Sequence, residues 1–575
     1  MSDGTACGRP LHQAADSTDS QPVCLMHSWD SKKDLGQFVS VIRAIRTGDC
    51  KYHRPRDRFD FSGFVFPEAL FSPASSFTRA GFERVTTYVD VEKDRARDAV
   101  FEKMGWHRRS EQVQNPTEGA PNGAPLVDNL ASDSDPMFTR DVDFTSAVFL
   151  GPAYFVDMTF AGRALFAKAR FRANTYFHQA RFRKRVDFEG AEFAEDVDFY
   201  NASFHTAVRF NGARFLGKVR FGETVFNFNA YFRDTKFVGA AIFSNASFNE
   251  YADFQTSTFS KRADFTRVLF RQGANFRRSL FCGETILDRT VFSQDFLKKL
   301  QDRDVPSPSS MTGPVIADFS GAAFEQPSRV RFRRVNQENP ADQVSGSKPE
   351  GFRVRFIECD VRDVHFDAVH WNQKKNRMVL EDEFELALAR GLTYRLLRLL
   401  WNLAADREKI LPEDRYELVS LTYRQLVSNF ERDGSYELAE DCYIGALEMM
   451  RLDPARPKFV RIILTLYRWA SNYGSNYSRA FSGLVVLIAL SGVLYALPPA
   501  GLATTGASGS SLRSVMGWHR VLAGLFHALE IASFQRDTLY SATTIFGRLI
   551  SVFASILLPS QLALFLLSVR RRFRR

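Results

Sequence analysis

Between residues 199 and 221 the chain reads FYNASFHTAVRFNGARFLGKVRF, with phenylalanine at 199, 204, 210, 215 and 221 and gaps that alternate five and six. The same beat extends through Phe144, Phe149, Phe155, Phe160, Phe166 and Phe171 to Phe281, Leu287 and Phe292, 28 positions with one substitution. A helix would rotate such a ring off any one face, and strict alternation fails because five is odd. A coil that turns a corner every five or six residues satisfies both gaps. The repeating unit is eleven residues carrying two rings, and a small residue or an aspartate often precedes the ring, as in NASF, GARF, VDF and ADF. An earlier stretch of the beat, Phe66, Phe71, Phe77, Phe82 and Tyr88, predicts a first coil. A charged helical piece and a Pro, Gly, Asn and Asp-rich loop then interrupt it up to Asp141. Two further interruptions precede Phe319 with Phe324, and Phe356, Val361, Phe366 and Trp371.

After Trp371 the pattern changes to apolar residues three and four apart. DRYELVSLTYRQLVSNFERDGSYELAEDCYIGALEMMRL, broken by RDGS at 432 to 435, predicts two antiparallel helices, with Tyr423, Phe430, Tyr436, Ala439, Tyr443 and Met449 as the packing face. Uncharged AFSGLVVLIALSGVLYAL (480 to 497) and LISVFASILLPSQLALFLLSV (549 to 569) each have the length and composition of a transmembrane helix. Arg461, Arg468 and Arg479 lie before the first and RRRFRR follows the second, which predicts both termini in the cytoplasm and the 498 to 548 connection outside.

Composition narrows the picture. Phenylalanine occurs 55 times against 17 tyrosines and 6 tryptophans among 575 residues, as a ring-per-corner repeat requires. The net charge of +10 demands no particular partner, and residues 141 to 292 hold 21 Lys plus Arg against 16 Asp plus Glu. DNA mimicry needs an acidic face and is disfavoured; direct DNA binding through the basic FRKRV and RQGANFRR stays open, although the membrane spans direct those patches to lipid or protein instead. The six cysteines, 7, 24, 50, 282, 359 and 442, are too scattered for a secreted disulfide framework. The polar N-terminus lacks the apolar run of a secretory signal.

On these residues the ladder resembles the pentapeptide-repeat family, in its phenylalanine-centred branch. The resemblance implies a mixed fold: a right-handed quadrilateral β-helix of seven coils, roughly 34 Å long at about 4.8 Å per coil, then an α-helical hairpin and a two-helix transmembrane segment. Phe144, Phe149, Phe155, Phe160, Phe199, Phe204, Phe210, Phe215 and Phe221 represent its core ladder. The expected domains are a tail at 1–58, the β-helix at 59–372 with insertions at about 89–140, 297–315 and 336–351, a helical cap and hairpin at 373–470, and the membrane domain at 471–575. The pattern around YRQL, NFE and DGSYELAEDCY looks like the hairpin that follows the β-helix in membrane-bound members of the family. A plain structural hairpin and a tetratricopeptide-like peptide site are its two readings.

The connection VMGWHRVLAGLFHALEIASF, followed by QRDTLYSATTIFGRL, has the helix, re-entrant helix, loop, helix layout of two-transmembrane ion-channel pores. The resemblance to family members with a channel-like C-terminus extends to WASNYGSNYSRAF at 469 to 481. The potassium-filter signature T-x-G-Y-G is absent. A pore without potassium selectivity and a channel-derived anchor that drives homo-oligomerisation both fit, with Ser533, Gln535 and Asp537 placed near any pore mouth. Cys7, His12, Cys24 and His27 form two pairs of ligands suited to a structural zinc, a knuckle the family resemblance also suggests, though one cysteine short. Cys50 and His53 with Cys24 and His27 are the rival set, and a tail with incidental cysteines is the alternative. No nucleotide-binding or hydrolase motif occurs, and His178 and His205 read as surface residues. The expected function is a non-enzymatic cytoplasmic scaffold or sensor with an unidentified protein partner, coupled to a channel-like membrane domain; a membrane-anchored interaction scaffold is the alternative.

Overall fold

The computed structural model describes residues 26–28, 34, 37, 38, 40–42, 44, 58–66, 138, 140–292, 317–337, 351–388, 412–497, 500, 502–504, 517–533, 535 and 538–573. The chain divides into two units, Met1–Asn376 with Leu380–Phe384, and Arg377–Val379 with Glu385–Arg575.

The first unit is a four-sided parallel β-solenoid. Among the described residues its sides are sheets of ten, nine, nine and seven strands, in each of which neighbouring strands belong to successive coils. The coil advances 22 residues, as in the register Val186↔Val208 and Phe193↔Phe215. Each side carries one column of rings: Phe188 stacks on Phe210 at 4.8 Å, Phe193 on Phe215 at 4.9 Å, Phe199 on Phe221 at 4.9 Å and Phe204 on Phe226 at 5.1 Å. Rings from opposite sides meet edge to face across the interior, as Phe199 and Phe210 do at 5.6 Å and 83°. All nine representative ladder residues are buried. At about 2 kcal/mol per buried ring, the four columns are the core.

The alternation of five and six follows from the corners. In most five-residue gaps the ring residue's C=O accepts from the N–H three residues on, as Ala213 N–H donates to Phe210 O at 2.9 Å, and the residue two after the ring is left-handed. These left-handed positions recur every eleven residues from Ser146 to Arg289, and glycine fills them only at Gly190 and Gly212. The aspartates of the VDF and ADF triplets also serve the corner: Asp187, Asp198 and Asp264 each accept from the backbone N–H two residues ahead at 2.9–3.1 Å. Buried hydroxyls tie coils together, as Thr224 and Thr235 donate to Phe199 O and Phe210 O at 2.7 and 2.8 Å.

The coil that precedes the long ladder differs from its expected outline. Phe66 lies on its predicted beat and stacks on Phe149 at 4.6 Å, but the coil opens one side earlier, with Phe61 on Phe144 at 5.1 Å. Phe71, Phe77, Phe82 and Tyr88 fall outside the described residues. Phe138, within the expected 89–140 excursion, already occupies the fourth side, bridged to Phe160 with rings 5.0 Å apart. A ring six residues ahead of Phe144 restores the beat where the chain returns.

Open strand ends are closed by side chains and short segments. Val65 N–H donates to Met26 O at 2.7 Å, and Phe38 packs its edge on Phe66. At the fourth side, Asn336 replaces a strand: its Oδ1 accepts from Phe292 N–H and its Nδ2 donates to Phe292 O, both at 2.8 Å. Asn336 stands at the start of the expected 336–351 insertion and is buried. At the far end, α1 (Glu381–Leu388) begins with carboxylates. Glu381 takes two hydrogen bonds from Arg353 at 2.8 and 2.9 Å, and Asp382 accepts from Phe356 N–H at 3.0 Å.

The second unit is helical. The expected hairpin is α2 (Pro412–Arg432) and α3 (Tyr436–Leu452), turned at Gly434 with φ +73°. Tyr423, Phe430, Ala439 and Met449 are buried as expected, and Tyr443 is half-buried. Tyr436 is exposed. Then follow α4 (Lys458–Ser471), α5 (Tyr477–Ala496), α6 (Gly517–Ala532) and α7 (Ile545–Phe573). Leu502–Thr504 and Tyr540–Ala542 pair as a short antiparallel ribbon between α5 and α7.

Candidate membrane module

The two apolar segments of the sequence form α5 and α7, both long and apolar enough to cross a membrane. Only 22% and 17% of their most apolar windows are buried, whereas a core helix of a soluble protein hides most of its surface. Leu490, Val486, Val552, Phe553 and Ile556 stand exposed along them. Helix α6 has 16 residues, about 24 Å at 1.5 Å per residue, and is too short to span about 30 Å of hydrocarbon.

Small residues set how closely the three helices approach. A Cβ on Gly524 of α6 would collide with the Gly492 carbonyl of α5, and one on Gly547 of α7 with the Ala500 carbonyl. Leu484, Ala528, Ala532, Ala554 and Leu558 form the apolar centre of the module. A groove of about 420 Å³ between α5 and α7 is lined by Leu490, Leu494, Phe553 and Leu557 with Ser491, a surface that suits hydrocarbon better than a polar substrate.

A polar cluster lies among these apolar helices. Tyr495 donates to Ser551 Oγ at 2.9 Å and sets its ring against His527 at 4.9 Å. His527 Nδ1 is 3.5 Å from Glu530 Oε2, and both side chains are buried. Glu530 Oε1 accepts from Leu539 N–H at 2.9 Å, while its backbone carbonyl accepts from Ser533 Oγ and Gln535 N–H, each at 3.1 Å. The segment after α6 is thus held to one residue. The sequence reading named Ser533 and Gln535 here, and their side chains are exposed; Asp537 lies outside the described residues. It missed Tyr495, His527, Glu530 and Ser551, although a histidine and a glutamate three apart in an otherwise apolar helix are a visible signal.

Of the four zinc ligands expected, Cys7, His12 and Cys24 lie outside the described residues, as do Cys50 and His53. His27 is half-buried, with its ring edge on Phe64 at 5.6 Å. Among the described residues no group of three or more His, Cys, Asp and Glu side chains is gathered as metal ligands. His178 and His205 are half-buried on the solenoid's sides, and burial beside Arg183 and Arg181 lowers the His205 pKa.

A stack of four-sided coils with one inward ring per side defines the class: a parallel β-solenoid, here followed in the same chain by helices that include two long apolar ones. Its repeats match the family model for pentapeptide repeats nine times, with copies at residues 166–214, 177–225, 210–258 and 221–269. The solenoid belongs to the pentapeptide-repeat family. No curated protein and no solved structure matches the chain.

Proposed function

We propose that this protein is a membrane-attached scaffold or sensor, in which a cytoplasmic pentapeptide-repeat solenoid acts on a two-span, channel-like membrane domain that lacks a potassium filter. The observation that carries the reading is the α5–α6–α7 arrangement. Two exposed apolar helices enclose a short third helix, whose following segment is fastened to the buried Glu530. Between α6 and α7 the sequence IASFQRDTLYS offers polar side chains and no T-x-G-Y-G filter signature, which supports a channel-like domain without potassium selectivity. The apolar flanks of α5 and α7 leave room for further copies around the second span. Arginines before α5 and at the end of α7 support cytoplasmic termini. The solenoid, with its interior filled by rings, serves as a binding surface and not as an enzyme, and a protein partner is a better fit than nucleic acid.

Single-channel recording of the purified protein in planar bilayers tests this reading. Unitary currents that disappear with Gly524→Leu, which forces α6 off α5, support the channel-like domain. A silent bilayer containing correctly inserted protein favours the second reading, a membrane-anchored interaction scaffold, which the missing filter motif supports. A structural zinc on Cys7, His12, Cys24 and His27 is part of the proposal. It predicts one zinc per chain by elemental analysis, lost in Cys24→Ser.

A further inference from the structure

Helix α4 has an apolar strip that nothing among the described residues of its own unit covers. One side of the helix docks on α3: Leu464 is buried with Ile444 and Tyr473, and Val460 and Tyr467 pack around them. Arg468 reinforces this with an ion pair to Glu448 at 2.9 Å, and Arg461 Nε donates to Arg451 O at 3.3 Å. Away from that side, Phe459 is 72% exposed, Ile462 57%, Ile463 46%, Leu466 62% and Trp469 77%. At 100° per residue these five fall within one sector of about 120°. A helix that needed only to pack on α3 would carry polar side chains there.

Three further observations say what covers the strip. The chain leaves α4 through Asn472 in a left-handed conformation, and α5, the first apolar helix, begins at Tyr477. With so short a connection, α4 stays at the level where α5 enters a bilayer. The helix carries Lys458, Arg461 and Arg468 and no acidic residue, and exposed Arg479 follows in the first turn of α5. Trp469 and the 45% exposed Tyr477 sit at the end nearest the span, the place aromatic side chains take at the headgroup level. A second copy would meet this strip with apolar side chains but would leave Lys458 and Arg479 without counter-charge.

We propose that α4 is an interfacial helix that binds the surface of an anionic bilayer. Phe459, Ile462, Ile463, Leu466 and Trp469 enter the acyl boundary, while Lys458 and Arg479 meet lipid phosphates. The inference rests on the reading that α5 and α7 span the membrane. It also gives the helix a role, because α4 is held both to α3, through Arg468 and Glu448, and to α7, whose Gln561 donates to Ala470 O at 3.0 Å. Lipid bound at α4 acts on both.

The test uses full-length protein in nanodiscs of equimolar phosphatidylcholine and phosphatidylglycerol. The photo-cross-linker p-benzoylphenylalanine replaces Leu466, Val486 (63% exposed in α5) or Glu437 (85% exposed in α3). Irradiation is expected to give phospholipid adducts at Leu466 and Val486 and not at Glu437, with the Leu466 adducts enriched several-fold in phosphatidylglycerol. Lipid at Val486 with none at Leu466, or with Leu466 joined to a second chain, overturns the interfacial helix and leaves the spans standing. No lipid at Val486 removes the spans and the inference with them. Adducts at Leu466 that mirror the bulk lipid ratio overturn the anionic preference.

Discussion

The carboxylate of Glu530 accepts the backbone N–H of Leu539, nine residues further along the chain, at 2.9 Å. That bond pins the segment that leaves α6 back onto the helix, beside the Tyr495–Ser551 pair. Glu530→Leu removes the acceptor and keeps the helix. A hydrogen bond to a charged group contributes about 1.5–3 kcal/mol, so amide exchange at 535 to 540 should speed up by one to two orders of magnitude. Glu530→Gln retains a carbonyl acceptor and should lie between. Hydrogen–deuterium exchange with mass spectrometry on the full chain in nanodiscs measures both, and unchanged protection in Glu530→Leu removes the pin.

Two nearby phenylalanines separate ladder from surface. Phe226 is fully buried and stacked on Phe248 at 4.4 Å, whereas Phe228 is 47% exposed. Phe226→Ala opens a gap in one column and should cost about 3–5 kcal/mol; Phe228→Ala should stay within about 0.5 kcal/mol. Chemical denaturation followed by β-structure circular dichroism gives the comparison. Equal losses would mean the columns are not the core.

The ring columns, the 22-residue coil and the two apolar helices were legible because each is written as a period or a run of one residue type. Corner geometry was not. Lys168, Glu223 and Arg267 are left-handed although nothing in their chemistry marks them, since the fixed coil above and below imposes the conformation. The end caps escaped for a different reason. Asn336 and Asp382 act by standing where a strand would have been, and no local pattern announces that the neighbouring coil is missing. In the membrane module the polar loop residues were named while Glu530, which organises them, was not. The strip Phe459, Ile462, Ile463, Leu466 and Trp469 has a helical period that the sequence does show, eclipsed by the stronger apolar run that follows.

Asp382 should make the solenoid's far end pH-sensitive. Full burial raises its pKa from 3.8 to about 7; Arg355 opposes the shift and Asp318 and Glu381 add to it. The folded state therefore keeps a proton that the unfolded chain releases. Stability from this group is fully present below pH 3.8 and declines as pH rises, until it is lost above about 7. At 1.36 kcal/mol per unit the span amounts to about 4 kcal/mol. Asp382→Asn keeps an acceptor for Phe356 N–H and cannot ionise. Its melting temperature should exceed that of the parent at pH 8 and converge with it at pH 4. Parallel curves across that range would contradict a buried neutral acid.

Gln561 makes the sharpest claim about the apolar helices. It lies two residues after Pro559 in α7, is buried, and its Nε2 donates to Ala480 O of α5 at 2.8 Å and to Ala470 O of α4 at 3.0 Å. Ala470 O belongs to the last turn of α4, where carbonyls lack helical partners, so the amide satisfies a group that hydrocarbon could not. Gly483 admits it, since a Cβ there would come within 2.8 Å of Nε2. Gln561→Leu should therefore cost about 1–2 kcal/mol, the range for polar contacts between membrane helices, and lower the melting temperature in detergent. Gly483→Val should produce the same loss from the other side, and the double variant should lose less than the sum because each change breaks the same contact. Ser555→Ala is the control: that hydroxyl donates only to Val552 O in its own helix and should change nothing. Exchange at residues 468 to 472 should rise in Gln561→Leu and not in Ser555→Ala, because the end of α4 is what the amide releases. Additive losses with no change at α4 would show that Gln561 merely fills space.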